Sequence, residues 1–344
     1  MNIPLFGGGQ EFVTKPRTTI HPIIDIHVHV LPPDACTPEA YVSPRQWNWP
    51  SFLYLRLRHR IKRQESVGGN GVMRSHLARA VASMQAVDQV VALALDAVYD
   101  DAGRKDSRRT HFYVANDYVF RLAKVNDRFL PGASVNPKRR DAMEELERCL
   151  DQGTVLLKWL PNCQGFDPMN PSFTPFYRRL AEARLPLLCH TGPEYALTGA
   201  DERLGRLEGL RLALDEGVIV IAAHGGGVDI RNFGRAFDTI AQMLVSYPNL
   251  YADTSALTQP NRFWFLQRFL RHPDLHPKLV HGSDVPLPIL PWLFLGRLPF
   301  REIVRLNRVA SPIDRDCLIK QSLGFPESIF RRGSELLRMD GASP

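Results

Sequence analysis

The chain of 344 residues has 43 Lys plus Arg against 36 Asp plus Glu, a formal charge of +7, with 44% hydrophobic and 23% charged residues. That balance is ordinary for a soluble globular protein and excludes collagen-like, low-complexity and disordered chains. No run of about 18 apolar residues could cross a bilayer, and no nucleic-acid-binding motif accompanies the positive charge.

The N-terminus, MNIPLFGGGQ, lacks the basic and apolar regions of a secretory signal. The five cysteines are scattered, without a CxxC pair, and read as reduced thiols. A cytoplasmic protein is expected. The length fits two average domains or one α/β barrel.

After an extension over residues 1–20, the first apolar run is IIDIHVHV (23–30). Residues two apart in a strand share a face. Regular alternation therefore puts Ile24, Ile26 and Val28 on one side and Asp25, His27 and His29 on the other. The next 57 or so residues hold Trp47, Trp49, the basic run RLRHRIKR (56–63) and GGNG (68–71). Long loops of this kind usually bear on function, and residues 31–75 read as an insertion over the mouth of the fold.

Seven further runs follow: VDQVVALAL (87–95), RFLPGASV (128–135), TVLLKWL (154–160), LPLLCH (185–190), VIVIAAH (218–224), NLYAD (249–253) and KLVHGSD (278–284). Between them lie helical patterns such as DAMEELERCLDQG, with apolar residues at 143, 146 and 150 and Gly153 as a stop. Strand starts about 25 to 40 residues apart match the size of a βαβ unit. Eight apolar strands alternating with helices predict a (β/α)8 TIM barrel spanning residues 21–344 as a single domain, with one or two extra helices from about residue 312. The rival, an open doubly wound sheet, lacks its usual glycine-rich phosphate loop.

Barrel enzymes carry their chemistry at the C-terminal ends of the strands. His27 and His29 end the first strand, Lys158 lies near the end of the fourth, His190 ends the fifth, His224 the sixth, and Asp284 follows the eighth. Four histidines and an aspartate on one rim predict a metal site. Imidazole and carboxylate suit zinc best, with manganese, iron and cobalt remaining open. Asp25 and His281 read as structural.

Arg104, Arg108, Arg109 and His111, after the second strand, are candidates to meet a substrate carboxylate, because arginine pairs with planar anions through parallel hydrogen bonds. Trp47, Trp49, Trp159, Tyr195 and Trp292 are candidates to line an apolar pocket. AHGGG resembles a serine-hydrolase oxyanion motif, but the chain has no GxSxG elbow.

HVH at the first strand, KWLPN after the fourth, CHTG at the fifth, AHGG at the sixth and GSDVP at the eighth together resemble the amidohydrolase superfamily. The likeness is to its amidohydrolase-related branch, which includes aminocarboxymuconate-semialdehyde decarboxylase and its relatives, and it runs from about residue 20 to 335.

The resemblance implies one divalent ion held by His27, His29, His190 and Asp284, with His224 beside it as a base and Asp284 sharing the proton. In two-metal members a fourth-strand lysine is carboxylated and bridges the ions. Here Lys158 sits in a one-metal context and is expected to face the site uncarboxylated. The implied activity is hydrolysis of an amide, ester or lactone-type bond in a small, acidic substrate. The alternative on the same scaffold is non-oxidative decarboxylation. Homodimers are common in the branch.

Overall fold

The computed structural model describes residues 21–31, 36–37, 39–58, 72–227 and 234–338. The N-terminal extension, residues 59–63 of the basic run and the GGNG turn lie outside the described residues.

Each apolar run forms a strand: β1 Ile24–His29, β2 Gln89–Leu93, β3 Phe129–Ala133, β4 Leu156–Trp159, β5 Leu187–Cys189, β6 Val220–Ala222, β7 Leu250–Asp253 and β8 Leu279–Val280. They pair in parallel, in sequence order, within one eight-stranded sheet. The sheet curls until its ends meet. Val28 bridges Val285 in parallel, His29 N–H donates to Val285 O at 2.8 Å, and Asp284 N–H donates to His27 O at 2.9 Å. This arrangement is consistent with the expected barrel.

The apolar side chains sort into two cores. The inner one gathers Ile24 and Ile26, Val91 and Leu93, Leu130, Leu156, Leu188, Ile221 and Val280. The outer one holds the alternate strand residues, such as Val90, Ala92, Leu157, Trp159 and Ala222, against the helices. Each fully buried Leu, Ile or Val contributes about 1.5–3 kcal/mol.

The helix Ala142–Asp151 buries Ala142, Leu146 and Cys149, while Met143 is 37% exposed. The helix forms where the apolar spacing predicts it, but its buried stripe is turned by about one residue. Gly153, at φ +77° just past its end, adopts the left-handed turn that glycine tolerates best.

Strand β1 departs from simple alternation. Asp25 pairs with Val90 and Val28 with Ala92, so two residues of β1 face one of β2. An extra residue of this kind reverses the facing of everything beyond it. Ile24 and Ile26 therefore join the inner core, and Val28 joins the outer one.

Asp25, expected on the histidine face, instead lies where Asp316 of the outer helix Pro312–Ser322 affects its charge. Its Oδ1 accepts from His27 N at 3.0 Å and Ser283 N at 2.9 Å, and burial raises its pKa to about 7. The bulge is what turns His27 toward the barrel axis.

After β8 the chain continues into Phe300–Asn307, Pro312–Ser322 and Glu327–Leu336. The last of these packs on β1 closely enough that a Cβ on Gly333 would lie 3.2 Å from Ile24 Cβ. The segment after β1 adds a feature that the sequence did not predict. Cys36–Thr37 and Ala40–Val42 join Phe112–Val114 in a separate antiparallel sheet. Among the described residues no helix is long and apolar enough to cross a membrane, and Cys149, Cys163, Cys189 and Cys317 are free thiols.

Candidate metal centre

The β1 bulge and the turn after β8 bring three ligand atoms together. His27 Nε2 lies 3.2 Å from His29 Nε2 and 3.7 Å from Asp284 Oδ1, and His29 Nε2 lies 3.3 Å from the same oxygen. Tetrahedral bonds of about 2.1 Å to zinc would set ligand atoms about 3.4 Å apart, so this spacing fits an ion. Asp284 reaches it from a left-handed backbone, φ +66°, a strained conformation of the kind that clusters at functional sites. Gly282 makes room for His27: a Cβ there would lie 2.9 Å from His27 Cβ.

A second layer fixes the imidazoles. Asp253, at the end of β7, holds His27 Nδ1 at 2.6 Å. Its other oxygen accepts from His224 N at 2.7 Å and Ser255 Oγ at 2.6 Å. An acceptor at Nδ1 puts the His27 proton there and leaves Nε2 as a lone pair. Burial alone would raise the Asp253 pKa, but His27, Ser255 and Lys158 hold it well below the usual carboxylate range.

His27, His224 and Asp253 also offer mutually close ligand atoms. The short bond from Asp253 to His27 accounts for that group as a hydrogen-bond network.

Lys158 is fully buried and its Nζ lies 3.1 Å from His27 Nε2, so ion and ammonium compete for one lone pair. Burial pulls the Lys158 pKa down and, with Lys158, takes that of His27 to about 4. His224 is held well below its ordinary range by burial and then by Arg262.

Ser255 Oγ donates to Asp253 and so accepts from His224 Nδ1 at 2.8 Å. The His224 Nε2 lone pair is then left toward His190 Nδ1, 3.1 Å away. His190 Nε2 consequently faces Gly192 O at 3.2 Å and Glu194 Oε2 at 3.6 Å. A cation, or a proton on Glu194, would relieve those three electron-rich atoms. His190 thus lies on the rim but outside the tight group of His27, His29 and Asp284.

Above these groups lies a cavity of about 420 Å³ whose lining includes His29, His190, His224 and Asp284. Ser51, Phe52, Tyr54 and Leu55, from the segment between β1 and β2, form one wall. Tyr195 is among the lining residues, with its carbonyl accepting from Trp49 Nε1 at 3.1 Å.

Trp159 does not line it. The residue is fully buried in the outer core, stacked on Phe176, and its Nε1 donates to Val135 O at 2.7 Å. Strand alternation dictates this, because Lys158 points inward and its neighbour must point outward.

The basic loop also lies elsewhere. Arg104, Arg108 and Arg109 are exposed, and Arg104 pairs with Asp100 at 3.0 Å. Arg109 and His111 border a separate small cleft. Trp47 packs on Phe52, and Trp292 is surface-exposed beside Phe300.

Site residues that were not predicted from the sequence include Asp253, Glu194 and Arg262. Asp253 ends the run NLYAD, so the rule that found His190 and His224 would have found it too. Arg262 and Glu194 lie in loops and carry no such signal.

No curated protein sequence matches the chain significantly. Among solved structures, an uncharacterized TIM-barrel protein from Bordetella bronchiseptica superposes with a TM-score of 0.60 at 16% identity, covering 92% of this chain and 99% of its own. An amidohydrolase from Burkholderia multivorans gives 0.53 at 13%, with 92% and 98% covered. The 5-carboxyvanillate decarboxylase of Sphingomonas paucimobilis gives 0.52 at 12%, with 92% and 99% covered. At such identities the likeness is one of fold. The sequence model of the amidohydrolase family (Amidohydro_2) matches residues 24–301, from the first residue of β1 to beyond Asp284, and the chain therefore belongs to that family.

Proposed function

We propose that the protein is a one-metal hydrolase in which His27, His29, Asp284 and His190 hold a single divalent ion, zinc fitting the ligand types best. The convergence of His27 Nε2, His29 Nε2 and Asp284 Oδ1 within 3.7 Å below an open cavity carries this reading. An ion bound there supplies Lewis acidity and an acidified water.

The protein's own groups do the rest. Asp253 keeps His27 Nε2 free of a proton. His224, uncharged and hydrogen-bonded through Nε2 to His190 Nδ1, is the proposed base, and Asp284 Oδ2, 3.7 Å from His224 Nδ1, shares the load. The apolar walls limit competing water.

The substrate is a small molecule with an amide, ester or lactone-type bond and an acidic group. The same reading takes residues 21–344 as a single catalytic domain and the protein as cytoplasmic and homodimeric, with neither nucleic acid nor membrane as partner.

The decarboxylase among the fold neighbours supports a second reading, non-oxidative decarboxylation on the same scaffold. Metal content per chain, measured on the wild type and on His190→Ala, tests the ion. About one ion, lost in the variant, is expected, and none in either protein would sink the reading. A substrate screen following hydrolysis and CO2 release side by side separates the two reactions.

A further inference from the structure

We infer that Arg262 and Gln259 form an anion subsite in the cavity, so that the substrate is a molecule with an apolar body and a planar anionic group, a carboxylate above all. The inference rests on reading the cavity as the substrate pocket of the proposed metal enzyme.

Arg262 lines that cavity and is 6% exposed. A guanidinium carries five N–H donors and stays charged. Here Nη2 donates to Pro193 O at 3.0 Å, while Nε is buried without a partner. Gln259, also lining the cavity, has its buried Nε2 without a partner. A buried charge is costly unless paired and hydrogen-bonded, and two residues that line one cavity each keep a buried donor for which the fold supplies no acceptor.

The nearby acid, Glu194, does not fill that role. Its Oε1 accepts from the backbone N–H of Ala196 at 2.5 Å and Leu197 at 3.0 Å, and burial raises its pKa more than those bonds and the Arg262 charge lower it. Arg262 lines the same cavity as His190 and His224. An anion held on it therefore places the neighbouring bonds of the substrate beside them. Leu31, Phe52, Leu95 and Phe112 supply apolar wall for the substrate's hydrocarbon part. Arg262 thereby takes the role expected of Arg104, Arg108 and Arg109.

Benzoate and its neutral isostere benzamide serve as probes in calorimetric titrations of the metal-loaded protein. Benzoate is expected to bind roughly 10- to 100-fold more tightly, the range of charge-assisted hydrogen bonds. Arg262→Gln should abolish that preference while leaving benzamide binding intact. Arg262→Lys should keep part of it, since the charge remains without the fork. If Arg262→Gln fails to fold by circular dichroism, Arg262→Lys and Gln259→Leu carry the test, and each should cut the preference several-fold.

Absence of preference in the wild type overturns the inference, as does a preference that survives substitution. A preference that survives Arg262→Gln but vanishes on metal stripping places the anion on the ion and likewise overturns it. Metal content of the same samples reports separately on the hydrolase reading. Benzoate preference without a bound ion keeps the subsite and sinks the metal enzyme, whereas an ion without preference does the reverse.

Discussion

Replacing Asp253 by Asn tests whether the site is organised from its second layer. The carboxylate receives four hydrogen bonds: from His27 Nδ1 at 2.6 Å, His224 N at 2.7 Å, and Ser255 N and Oγ at 3.1 and 2.6 Å. Asparagine keeps the shape but offers one carbonyl and one amide, so at least one donor meets another donor. The His27 proton then has no fixed reason to stay on Nδ1, and Nε2 loses basicity.

Changes of this kind typically cost about 10- to 100-fold in metal affinity, or ~1.4–2.7 kcal/mol. Asp253→Ala should add a folding penalty, because each buried donor left unpaired costs about 1–3 kcal/mol. Competition against a chelator of known zinc affinity reads the first effect, and urea denaturation of the metal-free protein reads the second. An Asp253→Asn protein that binds zinc within twofold of wild type would refute the role given to this residue.

Lys158→Met should leave about one ion per chain, because Lys158 shares the His27 Nε2 lone pair with the ion without bridging a second one. Two ions in the wild type and one in the variant would make it a carboxylated bridge. Gly282→Ala drives a Cβ to 2.9 Å from that of His27, and should cost about 1–3 kcal/mol by overpacking and weaken metal binding. Unchanged thermal stability would count against so close an approach.

Glu302, bonded by Arg305 and then Ser322, has its pKa lowered from 4.5 to about 2. A depressed folded-state pKa stabilises above the unfolded value, and the gain disappears as pH falls from about 4.5 toward 2. The pair is partly solvated, so Glu302→Gln should destabilise by under ~1 kcal/mol at pH 7. That difference should shrink below pH 4.5 in paired urea titrations. A penalty constant down to pH 3 would contradict the assignment.

Much of this protein was legible in the chain itself. Eight apolar runs at βαβ spacing were enough for the barrel, because burial on both faces forces parallel strands to read as continuous hydrophobic segments. Polar residues at the ends of those runs marked His27, His29, His190, His224 and Asp284, since a charged or polar side chain survives there only at the open rim. A resemblance to amidohydrolases added the one-metal expectation, and the family match bears out the resemblance itself.

What the sequence left open depended on contacts far along the chain. The bulge in β1 comes from its pairing with β2, and a single extra residue exchanged the faces assigned to Asp25 and to Val28. Trp159 turned outward because Lys158 turned inward. Asp253 lies 226 residues from the His27 side chain it orients, and Arg262 reaches the cavity from a loop that no periodicity marks. Local pattern determines which segments become strands and where their polar ends fall. Which side chain meets which across the barrel mouth is set by strand register and loop closure, and those exist only once the sheet has closed.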